Sequence, residues 1–232
     1  MKNKFYNEYD ILKSWDSKNP KIVLNNQEYR SELKGLLNGG TKNILEIGCG
    51  SGQLLLWLIK NGHNVKGIDL NNNSVSKLSK MGLDVTYGDA NEIIKSIHIN
   101  FDLIILMDVF EHIELDDISN LLDNLSKVMT KKSVIVCRFP NTQSPFGLYY
   151  QNGDPTHMSN LSLTRMDYLC RVNKLKIIDA KNSFQSRSGL IKFIVFILRS
   201  IIYFYYENIL SRIIYGKKIL FGPNISIRIM KD

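Results

Sequence analysis

The sequence predicts a doubly wound α/β fold, with a mostly parallel seven-stranded sheet covered by helices on both faces. Three observations point there. Short apolar runs recur ("NILEIG", "NVKGIDL", "LDVTYGD", "FDLIILMDV", "SVIVCRF"), and they are near-continuous rather than alternating, as in strands buried on both faces. Stretches with helical spacing lie between several of them. The first run ends in "GCGSG", a glycine turn where a strand hands over to a helix.

The elements follow in order. "NNQEYRSELKGLLNGG" reads as a helix with one buried face that stops at Gly39-Gly40. Residues 1–40 are therefore expected to form a helical cap on one domain spanning 41–232. Helices are predicted over "GQLLLWLIKNG", over 74–81 and over about 115–129. The fifth strand, "SVIVCRF", leads into a polar loop, 139–163, that also holds aromatic residues. After it come a helix, "LTRMDYLCRVN", a strand, "LKIIDAKNS", a long apolar segment at about 189–214, and a last strand after the turn at Gly222-Pro223-Asn224.

Composition narrows the class. The chain has 232 residues, 44% of them hydrophobic, enough for a sizeable core. Its net charge of +8 favours acidic or phosphorylated partners. The Lys and Arg are scattered without a concentrated arm, so no nucleic-acid partner is expected. Cys49, Cys137 and Cys170 are odd in number and lack CxxC spacing, which argues against disulfides and a structural zinc site. "MKNKFYNEYDILK" has early lysines but no apolar core behind them, so a cytoplasmic location is expected.

The glycine turn excludes one cofactor. A dinucleotide fingerprint needs G-x-G-x-x-G, and neither Gly48 nor Gly50 begins one. What stands there is E-x-G-x-G-x-G: Glu46, Gly48, Gly50 and Gly52. From Asn43 to Phe139 the chain resembles the class I S-adenosylmethionine-dependent methyltransferases, with their Rossmann-like fold. The resemblance implies S-adenosyl-L-methionine as cofactor, with S-adenosyl-L-homocysteine as product, and the glycine turn around the methionyl moiety. It implies Asp69, with Leu70, at the ribose hydroxyls; Asp89, with Ala90, at the adenine; and Asp108, Val109 and Phe110 beside the cofactor. A carboxylate accepting both hydroxyl protons of a ribose diol is a charge-assisted contact, which suits Asp69 independently. The alternative for Asp69 and Asp89 is an ordinary turn carboxylate.

The loop is the candidate acceptor wall, because ligands of open α/β sheets bind beyond the carboxyl ends of the strands. Methyl transfer from a sulfonium is an in-line displacement, and a hydroxyl acceptor must also lose a proton. His157 is the candidate general base, with Asp154 to orient it or touch the acceptor, and His112 in "FEHI" as the rival base. Asp154 in "NGDP" also suits turn capping. Asp108, Glu111, His112, Asp154 and His157 are a mixed oxygen and imidazole set, yet their spacing follows no fixed ligand pattern, so no metal is assigned. His63 and His98 read as structural.

The elements "PN", "SPFG", "GDPTH" and a helix opening Leu-Thr resemble a bacterial subgroup active in lipopolysaccharide, O-antigen and capsule biosynthesis. "EYR" with Trp15 upstream matches that group's cap, and the resemblance implies Tyr29 and Arg30 at the cofactor or its carboxylate. The expected activity is O-methylation of a sugar or sugar-linked group, on a small or lipid-linked glycan acceptor. The alternatives are a small-molecule O-methyltransferase of another pathway and a non-catalytic cofactor-binding partner of a glycan assembly complex. In the apolar segment, Lys192, Arg199, Ser200 and Glu207 share one narrow stripe at helical spacing. That favours a helix packed on the domain, ahead of a homodimer interface or a helix lying in the membrane surface.

Overall fold

The computed structural model describes residues 27–183 and 189–232. Trp15 and most of the expected cap lie outside the described residues. The elements are α1 (Gln27–Glu32), β1 (Asn43–Ile47), α2 (Gln53–Lys60), β2 (Asn64–Asp69), α3 (Asn72–Lys80), β3 (Val85–Tyr87), α4 (Ala90–Lys95), β4 (Phe101–Met107), α5 (Leu115–Lys127), β5 (Met129–Pro140), α6 (Pro145–Gly153), α7 (Leu163–Val172), β6 (Leu175–Asn182), α8 (Leu190–Tyr205), α9 (Ser211–Tyr215) and β7 (Asn224–Lys231). A 3-10 turn, Phe110–His112, follows β4, and a π-helical turn, Tyr206–Leu210, joins α8 to α9.

All seven expected strands form one sheet, in the order β3-β2-β1-β4-β5-β7-β6. The strands from β3 to β5 are parallel, and β7 runs antiparallel between β5 and β6. The order reverses between β1 and β4, so a crevice opens there beyond the strand ends. One apolar layer packs β1, β4 and β5 against α5 and α7 through Leu45, Ile104, Leu122, Ile135 and Met166. The opposite layer packs Ile44, Ile105 and Val136 against Leu55, Trp57 and Leu58 of α2. Cys49, Cys137 and Cys170 are free and buried, and burial pushes each thiol up from its ordinary value.

Three sequence expectations need correction. Within the expected loop 139–163 a nine-residue helix forms, α6, capped by the Ser144 side chain with Pro145 in its first turn. The short helix α4 was not expected; Asp89 caps it, but six residues carry too little periodicity to read. The apolar segment packs on the domain only at its distal part, where Glu207 and Ser211 are buried and Tyr206 stacks on Phe221; no residue of α8 itself is buried.

The α6 segment is bolted to the far end of the chain. Asn141 is buried, and its Nδ2 donates to the carbonyls of Leu220 (2.8 Å) and Gly222 (3.3 Å). The Ser144 hydroxyl donates to the Phe221 carbonyl at 2.7 Å. At Gly147 a Cβ would lie 2.0 Å from the Asn141 carbonyl oxygen, so only glycine permits this approach. On the other side, Lys181 meets the buried Glu32 of α1 at 3.2 Å and holds the remaining cap to β6.

Candidate active site

The glycine turn lies beyond β1 with Gly48, Gly50 and Gly52 all in the left-handed region, at φ 73°, 49° and 75°. A Cβ on Gly48 would sit 2.5 Å from Val109 Cγ2, so the turn and the chain leaving β4 press together. Asp69, at the end of β2, accepts from the Gly50 amide (2.7 Å) and the Asn71 amide (2.7 Å). Leu70 beside it is half exposed. Asp89 accepts from the Asn91 amide at 2.8 Å and so caps α4, with Ala90 as that helix's first residue. The turn-capping role considered for these carboxylates is therefore real, whatever else they hold.

Glu46 is buried beneath the turn, and among the described residues its Oε2 has no hydrogen-bond partner. Burial, and then the charge of Asp69, raise its carboxyl well above the ordinary range. Tyr29 of α1 stands over Trp57 with ring centroids 5.6 Å apart. Burial first, then the charges of Glu46 and Glu28, push its phenol up to about 12. Arg30 is exposed.

Asp108 has a φ of 57°, a rare conformation for a residue other than glycine. Arg138 near the end of β5 grips both oxygens of this Asp108, with Nε donating to Oδ1 at 2.9 Å and Nη2 to Oδ2. The same guanidinium donates to Glu28 of α1. Burial opposes the charge on Arg138, but the two carboxylates outweigh it and hold the group charged. Sequence reading passed over Arg138; a lone arginine inside the apolar run "VIVCRFP" was the available signal.

The histidines converge at the mouth of the crevice. His112, on the 3-10 turn, and His157 meet edge to face with centroids 4.7 Å apart. Asp154, which ends α6, accepts from the Thr156 hydroxyl (2.5 Å) and the Thr156 amide (3.0 Å), and its Oδ2 lies 3.8 Å from His157 Nε2. The Thr156 hydroxyl is in turn 2.9 Å from His112 Nδ1. Thus Asp154 caps a turn and also serves the histidine cluster. Thr156 was missed, since a threonine between two turn residues carries no signal of its own. His63 is buried, its Nδ1 accepting from the Lys42 amide at 3.2 Å, and burial lowers its basicity, as suits a structural role.

A family model described as a methyltransferase domain matches residues 24–188, most of the chain. The chain belongs to that methyltransferase-domain family. A search of curated protein sequences returns no match. Among solved structures, the methyltransferase is similar to an S-adenosylmethionine-dependent methyltransferase from Archaeoglobus fulgidus, with 24% identity and a TM-score of 0.62 over 88% of this chain and 90% of that one. It is also similar to one from Clostridium acetobutylicum ATCC 824, at 14% identity and TM-score 0.57 over 99% and 98%. Magnesium protoporphyrin IX methyltransferase from Synechocystis PCC 6803 with bound S-adenosylmethionine gives 11% identity and TM-score 0.57 over 98% and 94%. At these identities the likeness is one of fold.

The methyltransferase uses S-adenosylmethionine, and its residues suit that cofactor. A buried carboxylate oxygen lacking a hydrogen-bond partner, at Glu46, faces the need for donors. The glycine turn offers backbone amides where a side chain would obstruct. When bound, S-adenosylmethionine supplies a methyl group activated on a sulfonium. The chain's own tasks are to align an acceptor, exclude water and accept or disperse a proton.

Proposed function

We propose that this methyltransferase methylates an oxygen on a sugar or sugar-linked group of a surface-polysaccharide precursor, in capsule or lipopolysaccharide synthesis. The observation that carries the oxygen acceptor is the Asp154–Thr156–His112–His157 cluster, set at the strand ends beside the glycine turn. In this reading Glu46, the amides of the turn and Asp69 hold the cofactor, with Asp89, Asp108 and Val109 along its length. Tyr29 closes over it, and Arg30 reaches toward its carboxylate. The acceptor is ionised at His157, with Asp154 and His112 alongside.

The sugar is supported by the wall's chemistry. Tyr149 and Tyr150 project from α6 as an exposed aromatic pair, with the exposed Asn152 close by in sequence. Aromatic faces beside polar groups suit the apolar faces and hydroxyl rims of a sugar ring. The sequence resemblance to polysaccharide methyltransferases points the same way.

A lipid-linked acceptor is supported by the apolar helix. Leu190–Tyr215 is long and apolar enough to cross a membrane, with mean hydropathy 1.5 and 6% of its most apolar window buried. Its distal part is tied to the domain, however. The buried Glu207 accepts from Asn182 Nδ2 (2.6 Å) and the Phe221 amide (2.8 Å) and pairs with Lys218 (3.5 Å). A span would strip these partners from a carboxylate, so α8 is read as lying in the inner membrane surface from the cytoplasmic side.

The test is S-adenosylhomocysteine release by purified protein with nucleotide sugars, sugar phosphates and lipid-linked saccharides. Turnover of one sugar-bearing acceptor is expected, with His157→Ala slower by at least about a hundredfold. Turnover confined to non-sugar acceptors would sink the polysaccharide reading.

A further inference from the structure

We infer that Glu111, His112 and His157 form a binding site for one divalent transition-metal ion. This inference rests on the proposed methyl transfer for its role, though the site stands on geometry alone. One ligand atom from each of the three residues lies within 4.8 Å of the others. An ion bound at zinc-like distances holds its ligand atoms about 3.4 Å apart, so a contraction of at most about 1.4 Å completes the cage.

The hydrogen bonds orient both imidazoles for such a role. Thr156 spends its one hydroxyl proton on Asp154, so toward His112 Nδ1 it acts as acceptor, and the Thr156 carbonyl lies 3.4 Å from the same nitrogen. His157 Nδ1 likewise faces the Gln151 carbonyl at 3.2 Å. Oxygen atoms facing both Nδ1 positions favour the proton there and leave Nε2 as the ligand atom, with Asp154 Oδ2 3.8 Å from Nε2 of His157. Metal-bound histidines are held this way, with the second ring nitrogen donating to a carbonyl or other oxygen.

Glu111 supplies the third ligand from a site only 1% exposed, where a carboxylate is stable when paired or bound to a metal. The two segments that bring these ligands are stitched together. The Glu111 carbonyl accepts from the amides of Met158 (2.7 Å) and Ser159 (3.1 Å), and the Ser159 hydroxyl donates to the Ile113 carbonyl at 2.5 Å.

Two imidazoles with one carboxylate select zinc or a neighbouring first-row ion over magnesium or calcium. Three protein ligands leave a coordination position for an acceptor oxygen. Bound there, the acceptor hydroxyl becomes more acidic and releases its proton to solvent. Its oxygen forms the new bond to the methyl carbon, while the sulfur–carbon bond breaks and leaves its electron pair on sulfur. His157 then ionises the acceptor as a ligand rather than by taking the proton itself.

The experiment uses untagged full chain, stripped with EDTA and titrated with Zn2+ against a chromophoric chelator. One Zn2+ per chain is expected, with affinity lower by at least about tenfold in Glu111→Gln, His112→Asn and His157→Asn. Co2+ added to the wild type should give the intense visible bands of a low-coordinate nitrogen and oxygen site, a reading that needs no variant to fold. Absence of stoichiometric Zn2+, undiminished affinity in the variants, or a Co2+ spectrum like the aqueous ion overturns the inference. Calorimetry with S-adenosylhomocysteine on the same samples separates the two readings. Product binding without metal binding removes only the metal site, and metal binding without product binding removes only the methyl-transfer role.

Discussion

Glu46 is a buried carboxyl whose proton affinity the fold changes strongly. Its folded-state carboxyl is raised by burial and by Asp69 above the ordinary value of 4.5. The native state therefore keeps a proton that the unfolded chain releases, and stability falls as pH rises from about 4.5 through the raised value. Glu46→Gln removes that penalty. Thermal unfolding at pH 8 should show the variant more stable than wild type, at about 1.4 kcal/mol per tenfold difference in proton affinity. Cofactor binding by the variant should weaken. Equal pH slopes for the two proteins would contradict this account. The places of Glu46 and Asp69 at the glycine turn were legible because their spacing around the glycines is a local pattern. Arg138 was not, since its partners Asp108 and Glu28 are 30 and 110 residues away, and a pairing at that range leaves no trace in neighbouring letters.

At the scale of elements, the seven strands were legible from apolar runs, and β7 could be placed as the last strand without its antiparallel direction showing. The segment around α6 was harder. Its helix has a weak apolar stripe, because contact with the chain's end rather than with the sheet defines its inner face. Asn141 is the hinge of that contact. Asn141→Ala removes the Nδ2 donor from the Leu220 and Gly222 carbonyls and should cost about 1–3 kcal/mol in denaturant unfolding. Acceptor KM should rise with it, while cofactor affinity holds. A loss confined to cofactor affinity would show that the wall is not where α6 puts it.

Taken whole, the described residues form one open seven-stranded sheet with helices on both faces and one apolar helix left largely exposed. α8 exposes Leu190, Ile191, Phe193, Leu198, Ile201 and Phe204, a surface large enough to demand a partner. Vesicles containing anionic lipid should co-sediment the protein, and Ile194→Glu with Ile201→Glu should abolish this without altering cofactor binding. Sedimentation unchanged by both charges would rule α8 out as the contact. The antiparallel insertion of β7 also bears on how the protein is made. The parallel strands, the glycine turn and Arg138 leave the ribosome first and can assemble in synthesis order. Asn141 and Ser144 must wait for Leu220, Phe221 and Gly222, some eighty residues later. The glycine turn thus exists in the nascent chain long before α6 gains the contacts that hold it.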